Sequence, residues 1–70
     1  MKLVSTKTGL EVKVGDTVKG TAGLDQSRDY VVRDFHRRGH TTTPDRVVVW
    51  DEVAGEMAWL PNVFDLRIED

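Results

Sequence analysis

The chain has no cysteine, which excludes disulfides and thiolate metal ligands and leaves its redox compartment unreadable. Serine is scarce. Ser5 and Ser27 are the only two, and neither sits in a strained nucleophile elbow. No apolar stretch approaches the ~18 residues of a membrane span. Met1–Lys2 is followed by only Leu3–Val4 before polar residues, so no signal peptide is expected. Gly15, Gly20 and Gly23 do not form the G-x-G-x-x-G pattern that cradles a pyrophosphate. No charge sign dominates. Ten Lys+Arg stand against 12 Asp+Glu, a formal net charge of −2, which argues against general nucleic-acid or anionic-membrane binding.

What is present is enough for one small globule. Seventy residues allow a single domain spanning 1–70, and the hydrophobic share of 39% with 31% charged residues suits a folded chain. A chain this short buries only about 60% of the surface it exposes unfolded. Ordering it costs roughly 1.5 kcal/mol per residue. Nearly every large apolar side chain must therefore join one core. The expected members are Val12, Val14, Val18, Val32, Phe35, Val47, Val49, Trp59, Leu60, Val63, Phe64, Leu66 and Ile68. Little apolar material is left for a deep substrate cavity, so catalysis is not expected.

Period-two alternation and turn chemistry predict short strands throughout. Lys2–Ser5 and Leu10–Val14 flank Thr6-Lys7-Thr8-Gly9, giving an N-terminal hairpin over residues 1–14. Gly15-Asp16 is a second turn, and Thr17-Val18-Lys19 resumes the extended pattern. A small-residue loop covers Gly20 to Ser27. Tyr30–His36 breaks alternation, because Val32 and Phe35 cannot share a face under a strict period of two; a bulge near Arg33-Asp34 restores both to the core. Arg37 to Asp45 is a polar loop, and the β-branched run Arg46–Trp50 marks a central strand. Asp51–Leu60 admits a short helix stopped by Pro61, but mid-segment Gly55 favours a hairpin loop followed by a strand over Met57–Leu60. Pro61-Asn62-Val63-Phe64 suits one 3₁₀ turn, and Leu66–Glu69 alternates as a last strand. The expectation is an all-β, five- to six-stranded small barrel, its body over residues 15–70.

That order resembles the SH3-like barrel, in which a 3₁₀ turn joins the last two strands. Trp59 to Phe64 is similar to the Pro-Ser-Asn-Tyr region of SH3 domains, with Pro61 at the proline and Phe64 near the aromatic. Val12-Lys13-Val14-Gly15-Asp16-Thr17-Val18 is similar to the Gly-Asp-x-Val opening of KOW-type barrels. The Ala-Leu-Tyr-Asp-Tyr motif and the paired tryptophans are missing, so polyproline binding is not implied. The KOW glycine-rich hairpin is not evident after Val18. Thr8-Gly9 through Leu66 also resembles small proteins of tailed phages, with a Gly-Asp-x-Val start, an Arg-Val-x-Val strand and a terminal Pro-x-Val-Phe-x-Leu. That likeness implies an origin more than an activity: a phage-type origin would put the chain in the host cytoplasm, with a modulator or inhibitor of a host protein as its specific form.

The remaining constellations are weighed by their chemistry. His36 and His40 frame Arg37-Arg38-Gly39; with no third ligand and two adjacent cations they read as loop histidines, and neither a metal nor a cofactor is expected. Asp51-Glu52 and Glu69-Asp70 read as solvated ends. Charge is unevenly spread: residues 28–46 hold five arginines against three aspartates, and residues 51–70 hold one arginine against six acidic residues. Val47 and Val49 share one strand face, which turns Val48 and Trp50 outward. The expected function is a protein-binding module. Tyr30, Trp50, Trp59 and Phe64 are its expected aromatic anchors, and Arg37 and Arg38 its carboxylate forks. The runner-up is a nucleic-acid-binding barrel using Arg28, Arg33, Arg37, Arg38 and Arg46 for phosphates, with aromatics for stacking.

Overall fold

Short alternating segments closed by turn residues build an all-β structure in the computed structural model, which describes residues 1–21, 28–37 and 45–70. Among those residues are seven strands: β1 (Lys2–Ser5), β2 (Glu11–Val12), β3 (Thr17–Lys19), β4 (Asp29–His36), β5 (Arg46–Asp51), β6 (Gly55–Trp59) and β7 (Leu66–Glu69). One 3₁₀ turn, Pro61–Phe64, lies between β6 and β7. All pairings are antiparallel. They form a three-stranded sheet ordered β2-β1-β7 and a four-stranded sheet ordered β3-β4-β5-β6. The strand count exceeds the five or six expected. No ladder among the described residues joins the two sheets into a closed barrel.

The N-terminal segment is no appendage. Leu3 pairs with Val12 of β2 on one side and with Ile68 of β7 on the other, making β1 a central strand. Leu3 and Val4 are consequently both buried, one on each face of the sheet. Neither was on the expected core list, because the two-residue apolar run is too short to show periodicity. Two expected members lie outside: Val14, in the turn between β2 and β3, and Leu60, between β6 and the 3₁₀ turn, are exposed. Val12, Val18, Phe35, Trp59 and Val63 pack against the core from its margin, as does Met57.

The core joins Leu3 of β1 and Leu66 and Ile68 of β7 to Tyr30 and Val32 of β4, Val47 and Val49 of β5, and Phe64 of the 3₁₀ turn. The Tyr30 and Phe64 rings lie 5.4 Å apart, tilted by 59°, within the range of favourable aromatic pairs. The β4 irregularity falls where alternation fails. Val32 faces Val49, Asp34 faces Val48 and Phe35 faces Val47, so the register shifts between Val32 and Asp34. The extra residue returns Phe35 to the core side and leaves Arg33 outside.

The connections are hydrogen-bonded. Lys13 to Asp16 forms a turn in which the Asp16 amide donates to the Lys13 carbonyl and the Lys13 amide donates to the Asp16 carboxylate, with Gly15 at a φ of 99°. The Gly15 amide donates to the Val32 carbonyl and the Val32 amide to the Asp16 carbonyl, which ties this turn to β4. The Thr21 amide and hydroxyl both donate to the Val63 carbonyl, strapping the chain after β3 onto the 3₁₀ turn. Residues 51–60 form the hairpin rather than the helix. Glu52–Ala54 is the turn, and Gly55, at a φ of 79°, opens the return strand two residues earlier than the expected Met57.

Candidate partner-binding face

The inward and outward faces of the four-stranded sheet follow from β5. Val47 and Val49 are buried, so Val48 and Trp50 project to the opposite face. Register then fixes which residues accompany them. Thr17 pairs with Val31, Val31 with Trp50, and Trp50 with Glu56, giving one row across all four strands. The next row is Asp34, Val48 and Ala58. Trp50 is 37% exposed, and Val53 at the tip of the β5–β6 turn is 68% exposed. Val31 and Val48 are half-buried between them. The result is an apolar strip on the sheet's outer side, edged by charges of both signs.

The bulge contributes to this face. Displaced outward, Arg33 sets its guanidinium over the Trp50 ring, 5.5 Å from the centroid. Beside the tryptophan lies a cleft of about 480 Å³, lined among the described residues by Thr17, Arg28, Asp29, Val31, Trp50, Asp51, Glu52 and Val53.

Asp51 forms the floor of the hairpin end and is only 2% exposed, which corrects its reading as a solvated end. Its Oδ1 accepts from the Val53 amide at 2.7 Å and the Ala54 amide at 2.6 Å, an Asx turn that fixes the path of residues 51–54. Its Oδ2 is buried and accepts no hydrogen bond, and the Arg28 guanidinium stands 3.7 Å away. The Ala54 N–H holds the carboxyl below its ordinary range, with burial opposing and the Val53 N–H and Arg28 reinforcing. The signal was in the sequence: an aspartate two and three residues before the amides of a tight turn.

The expected site residues separate. Trp50 is on the outer face. Tyr30, 1% exposed, and Phe64, 4% exposed, are core residues and not surface anchors; their rings close the space between the sheets, where a domain of this size cannot spare them. Trp59 pairs with Val47 on the inner side and packs against the core, its indole N–H buried without an acceptor, so it too is withdrawn from the surface. Arg37 is committed to the chain end, donating to the Ile68 carbonyl at 2.5 Å and to Asp70 at 2.9 Å. Arg38 and His40 lie outside the described residues.

The five arginines expected to share a basic face are also dispersed where they are described. Arg28 turns to Asp51 and Arg33 to Trp50. Arg37 turns to β7, and Arg46 is half-buried at the start of β5 with one guanidinium nitrogen enclosed. His36 is exposed and stands 3.6 Å from Asp34. Among the described residues no group of three His, Asp or Glu is placed to hold a metal ion, and no helix is long and apolar enough to cross a membrane.

A second cleft of about 490 Å³ is lined by Lys7, Lys19, Gly20, Thr21 and Asp65, but its lysines are already paired, Lys7 with Asp65 at 3.2 Å and Lys19 with Asp29. Comparison with protein-family models, with curated proteins and with solved structures finds no match to this chain.

Proposed function

We propose that this chain is a non-enzymatic binding module that engages a protein partner through the outer face of its four-stranded sheet, with Trp50 as the anchor. The observation that carries the reading is the exposed Trp50–Arg33 pair, set in an apolar strip on the outer side of the four-stranded sheet. Buried aromatics with guanidinium neighbours dominate the energetics of protein interfaces. A rigid sheet presents them at little conformational cost. The connectivity supports an SH3-like arrangement: the first strand pairs with the last, β4-β5-β6 is a meander, and a 3₁₀ turn leads into β7. The resemblance to small tailed-phage proteins makes a host cytoplasmic protein, a modulated enzyme for instance, the first partner to test.

The nucleic-acid reading is weaker because only Arg28 and Arg33 of the described arginines stand beside Trp50, while Arg37 turns to β7 and Arg46 is half-buried. The two readings separate in one experiment. Tagged wild-type chain captures a defined protein from lysate at high salt, and Trp50→Ala loses it. Capture unchanged in Trp50→Ala, together with single-stranded oligonucleotide binding that falls linearly with salt on a log–log plot and is lost in Arg33→Ala, refutes the protein reading.

A further inference from the structure

Among the described residues the two open sheets end in four edge strands, and three of them are blunted. β2 has two residues and β3 three, the latter ending in Lys19. On β7 the Ile68 carbonyl accepts from the Arg37 guanidinium, which also holds Asp70, so a side chain crosses that edge. β6 differs. Gly55-Glu56-Met57-Ala58-Trp59 contains no lysine, no proline and a single charge, and its register with β5 runs without a bulge.

Hydrogen-bonding parity fixes which backbone groups β6 offers. The Val32 amide donates to the Asp16 carbonyl and the Val32 carbonyl accepts from the Gly15 amide, so Val32 addresses the β3 side. In an antiparallel ladder successive residues address opposite neighbours. Val31 therefore bonds to Trp50, and Val49 and Val47 turn to Met57 and Trp59 of β6. Glu56 and Ala58 are left facing away from β5. Leu60 continues the extended path, with φ −65° and ψ 139°. Its carbonyl accepts from the Val63 amide, and its N–H stays on the same edge as Glu56 and Ala58.

We propose that the β6 edge is the joint at which a second copy of this chain adds antiparallel, with the two-fold axis through the Ala58 pair. The edge is self-complementary about that point. Ala58 exchanges backbone hydrogen bonds with Ala58 of the second copy, and the Leu60 N–H of each chain donates to the Glu56 carbonyl of the other. Met57 lies opposite Trp59 of the second copy on the inner side, a thioether–aromatic pair at a non-hydrogen-bonded position, where side chains approach most closely. Both side chains are half-buried at the margin of the core, and the joint covers surface they still expose. On the outer side Leu60, 41% exposed, comes beside Glu56 of the second copy. The glutamates stay apart. Parallel pairing in register, or an axis through Glu56, would set each against its own copy. An axis through Met57 faces Trp59 with Gly55 and carries Leu60 past the strand end to Ala54, forfeiting both apolar contacts. The joined sheet leaves the Trp50 face open on both copies. The interface is small, under about 1,200 Å² in total, the class of weak, reversible associations.

Sedimentation of the full chain from about 10 μM to about 1 mM tests the joint. The average mass rises toward that of two chains, and in labelled protein the Glu56, Ala58 and Leu60 amides shift with concentration and gain protection from exchange. Ala58 is exposed, so Ala58→Glu and Ala58→Lys leave the core intact. Each variant sets like charges directly opposite one another and weakens self-association about fivefold or more. An equimolar mixture of the two restores it, because glutamate then meets lysine. A wild-type chain that stays monomeric to about 1 mM overturns the proposal. So does a dimer indifferent to both variants, or a mixture that fails to recover. Loss of protein capture in Ala58→Glu from a chain that is itself monomeric assigns the edge to a foreign strand and overturns the second copy as its occupant. Trp50→Ala associates as wild type does, so the fate of the Trp50 face and that of the β6 joint are read separately.

Discussion

Leu3→Ala is the perturbation that asks most of this fold. Leu3 is wholly buried, belongs to the central strand of the smaller sheet, and meets both β2 and β7 through its backbone pairings. Truncating a buried leucine removes its transfer free energy and leaves a cavity, together about 2–5 kcal/mol. A chain of 70 residues holds about 4–10 kcal/mol of stability in all. The substitution should therefore remove between about a fifth and all of it. Urea unfolding followed by tryptophan fluorescence reads the effect. With a slope of about 1 kcal/mol per molar for a domain this small, the midpoint falls by about 2 M or more with the slope unchanged. Leu10→Ala is the control, since Leu10 is 69% exposed, and it stays within about 0.5 kcal/mol of wild type. If Leu3→Ala matches the control, the N-terminal strand is not part of the core and the assignment of β1 as a central strand is wrong.

Three further outcomes are expected. Asp65 closes the 3₁₀ turn in the left-handed region, at φ 54° and ψ 46°, so Asp65→Val costs about 1–2 kcal/mol in urea unfolding while Asp65→Asn costs about 0.5 or less. Asp51 has its carboxyl lowered in the folded state, so its contribution is complete above about pH 5. That contribution is lost as pH falls below the ordinary value of 3.8 toward the depressed folded value, and the wild-type minus Asp51→Asn stability difference narrows through that window when midpoints are measured against pH. Arg37→Ala removes a clamp on the exposed Asp70 and on the Ile68 carbonyl; it lowers stability by about 1 kcal/mol or less and leaves partner capture unchanged, because the guanidinium points to the chain end.

Much of the architecture was legible because local chemistry and tertiary packing agreed. The failed alternation at Val32–Phe35 located the bulge, Pro61 located the 3₁₀ turn, and the Val47–Val49 periodicity placed Trp50 outside. The errors share a physical cause. A run as short as Leu3-Val4 carries no period, so only its partners on both sides reveal it as central. Val14 and Leu60 are apolar yet sit beside turns, where backbone direction rather than hydropathy decides exposure. Aromatic residue type alone does not separate core from rim: Tyr30 and Phe64 went to the one and Trp50 to the other, and only strand register distinguishes them. The Arg33–Trp50 contact was hidden because the bulge, and not sequence spacing, brings the two side chains together.

The most direct measurement is a resonance map of the labelled chain saturated with its captured protein. The largest shifts should fall on Thr17, Val31, Arg33, Val48, Trp50 and Ala58, the outer rows of the four-stranded sheet. Shifts gathered instead around Lys7, Lys19 and Asp65, or around exposed Leu10 and Val14, with the Trp50 indole unmoved, would contradict the assignment of that face.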